Sequence, residues 1–317
     1  MLGGVFALVV GLICYWMVKS DLRACGADPS LWPAVFALIG GMLAFALTWG
    51  MLDVHCQETD VVRPSVFWFY YRLPYHLVLL TLLVSVTATD LKTYYILDRT
   101  NWIGLAVGIG LATLSGDLQL EHIWVDWSHA IPQLRGPYIP AWLSAHPHWH
   151  GLAWSVSGAL AGAGLTWIVQ WLSGWVLGQP ALGSGDVLLM ATIGSFLGWQ
   201  PTLVAFAIAP ILALGIGVTA RLVSRRAIIP YGPFLAGGAI VVLFSWRWIL
   251  MAEINLTVRD THDPREVFAL RRFLGDPVSL PLVLGGALLL LVILLGGLRL
   301  YVSYSPSEAQ SPPGPET

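Results

Sequence analysis

The chain is built from a run of apolar stretches, each close to the length that crosses a bilayer. They cover 2–18, 31–52, 74–89, 101–116, 152–177, 187–199, 201–220, 232–247 and 279–299. A spanning helix needs roughly 17–25 mostly apolar residues. Within hydrocarbon every backbone polar group must be satisfied internally, so such segments become helices. The expected fold is therefore all-α, a polytopic transmembrane bundle of about eight to nine helices. Composition agrees: 56% of residues are hydrophobic and 11% charged, against about 25% charged in a soluble domain. The partner this implies is membrane lipid. A formal net charge of −2 gives no electrostatic footprint for nucleic acid.

Cys14, Cys25 and Cys56 lie far apart and form no C-x-x-C pair, so neither a zinc site nor a disulfide framework is expected. Met1 to Val18 lacks a basic start and a small-residue cleavage site, and reads as a retained helix. Two long hydrophilic segments, 117–150 and 248–278, interrupt the apolar series. Antiparallel alternation puts both on one side of the membrane and puts the loops 19–30, 90–100, 178–186 and 221–231 on the other. The tail from Ser305 to Thr317 is rich in Pro, Ser and Glu and is expected to be disordered. The sixteen basic residues divide evenly between the two sides. The cluster Arg221, Arg225 and Arg226 in a short loop favours the short-loop side as cytoplasmic.

Two aspartates stand where apolar segments meet that side: Asp90 in SVTATDLKTYYILDRTN and Asp186 in ALGSGDVLLMATIGSFLGWQ. A carboxylate at the edge of hydrocarbon is costly, and is found facing a bundle interior or a wet cavity. Alternation gives both the same depth and the same side. Two carboxylates within a few ångströms share a proton, and such a pair can both activate a water and protonate an oxyanion or leaving amine. Gly183 and Gly185 flank Ser184 just before Asp186. Glycine there permits close approach of a substrate strand. A tight interhelical turn is the other account of the same glycines.

Three separated motifs, in order, carry a resemblance: TDLKTYYILDRTN, then ALGSGDVLLMATIGSFLGWQ, then IIPYGPFLAGGAIV. Over roughly residues 75–245 the chain resembles the prepilin peptidases, or type IV leader peptidases, of the membrane-embedded G-x-G-D aspartic class. The resemblance implies that Asp90 and Asp186 are the catalytic dyad and that catalysis is at the cytoplasmic membrane face. It also implies that 229–234, with Pro230 and Gly232, starts a helix beside the site. The implied activity is removal of the leader peptide from prepilin or pseudopilin-like precursors, in the cytoplasmic (inner) membrane, with no cofactor and no metal. The chain departs from the family at Leu97, where Pro is common, at Leu188, where a basic residue is common, and before G-x-G-D, where an acid is common. N-methylation of the new terminus is not supported, because the paired C-x-x-C motifs are missing.

On this reading, residues 1–73 form an N-terminal hydrophobic segment and 74–247 a peptidase core with an insertion at 117–150. Residues 248–300 are a loop and final helix. Asp98 is either a third acid near the site or a helix N-cap. Lys92 and Arg99 either steer a charged leader or anchor the loop. His146, His148 and His150 could bind a metal, but an ordinary exposed, aromatic-rich loop accounts for them better. Two other functions are compatible with paired membrane acids: a catalytically silent scaffold for pilus or secretion assembly, and a proton-coupled transporter. The second is disfavoured by the absence of a repeated G-x-G-D.

Overall fold

The computed structural model describes residues 2–59, 62, 64–124, 145–224, 230–255, 267–276 and 278–304. The tail 305–317, the middle of the first insertion and residues 256–266 lie outside the described residues, as do the expectations that fell on them.

Among the described residues the chain is a helical bundle. The helices are α1 (Leu2–Ala24), α2 (Trp32–Leu52), α3 (Val66–Thr93), α4 (Asp98–Ser115), α5 (Pro147–Leu177), α6 (Ser184–Leu197), α7 (Trp199–Ser224), α8 (Gly232–Met251), the short α9 (Leu270–Gly275) and α10 (Ser279–Tyr304). A two-stranded antiparallel ladder, β1 (Glu253–Asn255) with β2 (Val267–Ala269), follows α8. Six of the helices are long and apolar enough to cross a membrane, and the protein is a multi-pass membrane protein.

Several helix boundaries differ from those read in the sequence, and two of them bear on the expected division of the chain. Helix α3 begins at Val66 and carries Pro74 in its interior, so the boundary placed at 73/74 falls inside one helix. Proline removes one intrahelical bond, which a membrane helix packed by its neighbours tolerates. Helix α5 starts at Pro147, taking the end of the first insertion into the bundle.

The helices pack closely because small residues face each other. A Cβ on Gly158 of α5 would meet the carbonyl oxygen of Gly194 on α6 at 2.0 Å, and one on Gly162 would meet the Met190 carbonyl at 2.1 Å. Small-residue seams of this kind are how membrane helices gain van der Waals contact when lipid is as apolar as leucine. Helix α3 is the central element, buried along most of its length. Leu8, Leu12 and Trp16 of α1 and Leu289, Ile293 and Leu294 of α10 are exposed, the outward apolar surface expected against lipid.

The bundle has two distinct ends. At one, the α1–α2 connection meets the end of α3: the Lys92 ammonium donates to the Asp28 carbonyl and lies 5.7 Å from the Trp32 ring centre. At the other, Arg72 of α3 donates to the Gln119 carbonyl, Gln57 donates to the Leu243 carbonyl (3.0 Å), and Gln200 donates to the His122 carbonyl (2.7 Å).

Candidate active site

Three chain segments converge at the first of these ends on a cavity of about 310 Å³. The end of α3 brings Asp90, and the α3–α4 connection brings residues 94–96 and then Asp98. The start of α6 brings 183–186, with Ala181 before it, and the start of α8 brings Pro230 and Tyr231. The two aspartates are 5% and 8% exposed, and the charge of Asp186 acts on Asp90 directly.

The structure shows what supports each carboxylate. Helix α6 begins at Ser184, inside the G-x-G-D motif, so Asp186 sits in its first turn. The Gly183 N–H donates to Asp186 Oδ2 at 2.8 Å. Asp186 thus reaches back to the residue before its own helix, the acidic half of a capping box. Asp90 receives the equivalent from another helix: the N–H of Gly232, first residue of α8, donates to Asp90 Oδ2 at 3.0 Å. Each acid therefore lies at a helix N-terminus, where unsatisfied N–H groups and the helix dipole favour negative charge. Each commits one oxygen to that bond.

Gly232 is needed for this approach, since a Cβ there would meet Asp90 Oδ2 at 2.5 Å. Gly185 is needed for a different contact. Its Cβ would meet Cβ of Ile96 at 2.9 Å, and Ile96, 6% exposed, also reaches the Gly232 position with Cδ1 (3.0 Å). One isoleucine therefore wedges the α3–α4 connection between the starts of α6 and α8. The left-handed Tyr94 (φ 55°), whose N–H bonds to the Asp90 carbonyl, ends α3 and turns the chain toward Ile96.

The structure brings together Asp90, Asp186, Gly183, Gly185, Pro230 and Gly232. Asp98 lines the same cavity but is exposed, and Leu97 rather than Asp98 holds the cap position of α4, without a side-chain cap. Lys92 is engaged with the α1–α2 connection, away from the cavity lining. The histidines of the α5 start lie apart from the cavity: His148 meets the Thr113 carbonyl (2.9 Å), while His150 accepts from the Ile123 N–H (3.4 Å). Among the described residues no three His, Cys, Asp or Glu side chains form a metal-holding group.

Tyr231 was not singled out in the sequence, although it stands between Pro230 and Gly232 in the third motif. Burial first, and then the negative charge of Asp186, push its hydroxyl up to about 12. It therefore remains a donor across ordinary pH.

A sequence model of the type IV leader peptidase family matches residues 77–218. The "Prepilin leader peptidase/N-methyltransferase" of Escherichia coli (strain K12) is 37% identical over 97 residues, 30% of this chain and 43% of that protein. The protein of the same name from Burkholderia pseudomallei (strain K96243) is 34% identical over 93 residues, 28% of this chain and 30% of that one. The "Type 4 prepilin-like proteins leader peptide-processing enzyme" of Escherichia coli O78:H11 is 29% identical over 209 residues, 60% of this chain and 73% of that one. The matches to the first two span less than half the length of those relatives. No solved structure matches. The matched segment contains both buried aspartates, the α3–α4 connection and the start of α6, and over it the chain is similar to the type IV leader peptidase family.

Proposed function

We propose that this protein is a membrane aspartic endopeptidase that removes the leader peptide of prepilin or pseudopilin-like precursors at the cytoplasmic face of the inner membrane. The observation that carries this is the meeting of Asp90 and Asp186, from separate helices, in one cavity at the end of the bundle. Among the described residues each accepts one backbone N–H through Oδ2, which leaves Oδ1 of each for a reacting group. The names of the relatives support the substrate class.

The chemistry is general acid–base hydrolysis. One member of the dyad is ionised and takes a proton from a water as that water's oxygen bonds to the scissile carbonyl carbon. The other is protonated and donates to the developing oxyanion. The resulting gem-diol then collapses with cleavage of the C–N bond: one of its hydroxyls returns a proton to the second acid as C=O re-forms, and the departing amine takes the proton gained by the first acid. Two acids sharing a proton titrate as a unit, so activity follows a bell in pH. Glycine at 183 keeps the approach to Asp186 low enough for an extended substrate backbone. Residues 74–247 form the catalytic core in this reading.

The test is co-expression with a prepilin-like precursor, read as a mobility shift. Wild type is expected to cleave it, and Asp90→Asn and Asp186→Asn are each expected to leave it intact while accumulating normally. Cleavage by either variant at the wild-type rate sinks the dyad.

A further inference from the structure

A third buried carboxylate lies near the site but outside its cavity. Asp21, in the last part of α1, is 6% exposed. It belongs to the N-terminal helix pair, outside the segment that matches the family. Its Oδ2 accepts the Ser85 hydroxyl of α3 at 2.7 Å and the Thr100 hydroxyl of α4 at 3.2 Å. Both hydroxyls are buried.

These two partners bracket the wall of the active cavity. Ser85 lies five residues before Asp90 on α3, and Thr100 lies two residues after Asp98 on α4. Between them runs the α3–α4 connection, with Ile96 wedged between Gly185 and Gly232. Gly185 adjoins Asp186, and Gly232 supplies the N–H that holds Asp90. A shift of α4 against α3 moves Ile96, and Ile96 cannot move without displacing the starts of α6 and α8. A leucine at 21 would fill the same seam without desolvating a charge. What the carboxylate adds is direction: one oxygen receives two hydroxyls, which fixes the register of two helices at a single point.

We propose that Asp21 is a positioning residue of the active site, setting the α3–α4 register that places Ile96 and through it the two aspartates. The inference rests on the peptidase reading only for its kinetic arm. The same seam ties the N-terminal helix pair to the site, because Lys92 fastens the α1–α2 connection to the end of α3 as well.

The test compares wild type, Asp21→Leu, Asp21→Asn and the double variant Ser85→Ala/Thr100→Val. Asparagine keeps an oxygen that can accept both hydroxyls; leucine keeps the packing alone. The first readout is the distance between spin labels on Tyr95→Cys and Ala181→Cys, across the cavity, with Cys25 replaced by Ser because Cys14 and Cys56 are buried. The second is kcat and KM for precursor cleavage per folded molecule, in chains without labels. In D21L and in the double variant, the distance distribution is expected to broaden. There kcat is expected to fall about tenfold or more with KM within about twofold, as for misplaced reacting groups. D21N is expected to restore both.

A wild-type distance distribution in D21L and in the double variant overturns the proposal. So does equal impairment of D21N and D21L, which would make charge rather than register the cause. If D21L fails to fold, the double variant carries the same comparison. If wild type itself does not cleave the precursor, the peptidase reading fails, while the distance measurement still decides the role of Asp21.

Discussion

Asp90 and Asp186 are held by the same device applied from two helices, and the device depends on single atoms. At Gly232 an added methyl would stand 2.5 Å from the carboxylate oxygen it supports. Gly232→Ala is therefore expected to displace Asp90 and lower precursor cleavage about 100-fold, the order found when a catalytic group shifts by about 1 Å. The measurement is the initial cleavage rate at equal folded protein. Tyr231 offers a second test at this scale. Its hydroxyl is kept protonated by burial and by the Asp186 charge, so it can donate to the carbonyl or oxyanion in the cavity. Tyr231→Phe is expected to lower kcat about tenfold, the worth of one hydrogen bond to a charged group, with little change in KM. An unchanged kcat removes Tyr231 from the mechanism.

Helix α6 is the element most exposed to disruption. It is 14 residues long, and its grip on α5 comes from glycine-to-carbonyl approaches at Gly158, Gly162 and Gly194. Gly158→Val forces α5 and α6 apart. It is expected to destabilise the bundle by about 1–3 kcal/mol, as overpacking does, and to lower activity because α6 carries Asp186. Thermal denaturation in detergent together with cleavage rate checks both halves. At this scale the sequence was readable in part. The apolar runs found the helices, but the close glycine contacts between α5 and α6 were not read from them. The glycines' partners were not readable, because a glycine facing Gly194 and one in a loop look alike until the helices are packed. Ile96 stood inside a quoted motif, yet its role as a wedge depends on two segments far away in sequence.

Across the whole molecule, the end that holds Asp90 and Asp186 is matched by a buried polar layer at the opposite end. The sequence presents 117–150 as hydrophilic, but Leu118, Gln119, Leu120 and Glu121 are buried. Side chains from three helices donate to this segment's carbonyls: Arg72 to Gln119, Trp246 to Leu120 (3.3 Å) and Trp199 to Ile123 (2.7 Å). Glu121 lies among them, and burial raises its pKa to about 8 against the opposing influence of Arg72 and the His122 N–H. The folded chain then holds a proton that the unfolded chain, with a value near 4.5, has released. Stability from this group is complete below the unfolded value and is lost as pH rises through the window from 4.5 to about 8. The melting temperature is expected to be several degrees higher at pH 5 than at pH 8, and Glu121→Gln is expected to flatten that difference. A wild-type profile that rises over this range contradicts the burial of a neutral Glu121.

The sequence alone determined that the chain is a multi-pass helical bundle, because hydrocarbon leaves an apolar segment of spanning length no other way to satisfy its backbone. It also placed Asp90 and Asp186 at one end, because alternation along the chain is a counting argument that needs no packing. Only the tertiary structure decided what makes those acids tolerable: a backbone N–H from α8 for one and from the start of α6 for the other. It alone also revealed Asp21 as a tie between α1, α3 and α4. The bonds of Asp21 and of Asp90 to Gly232 join residues 64 to 142 positions apart and depend on where helices end in space, whereas Gly183 and Asp186 are three positions apart and their bond follows from the start of α6.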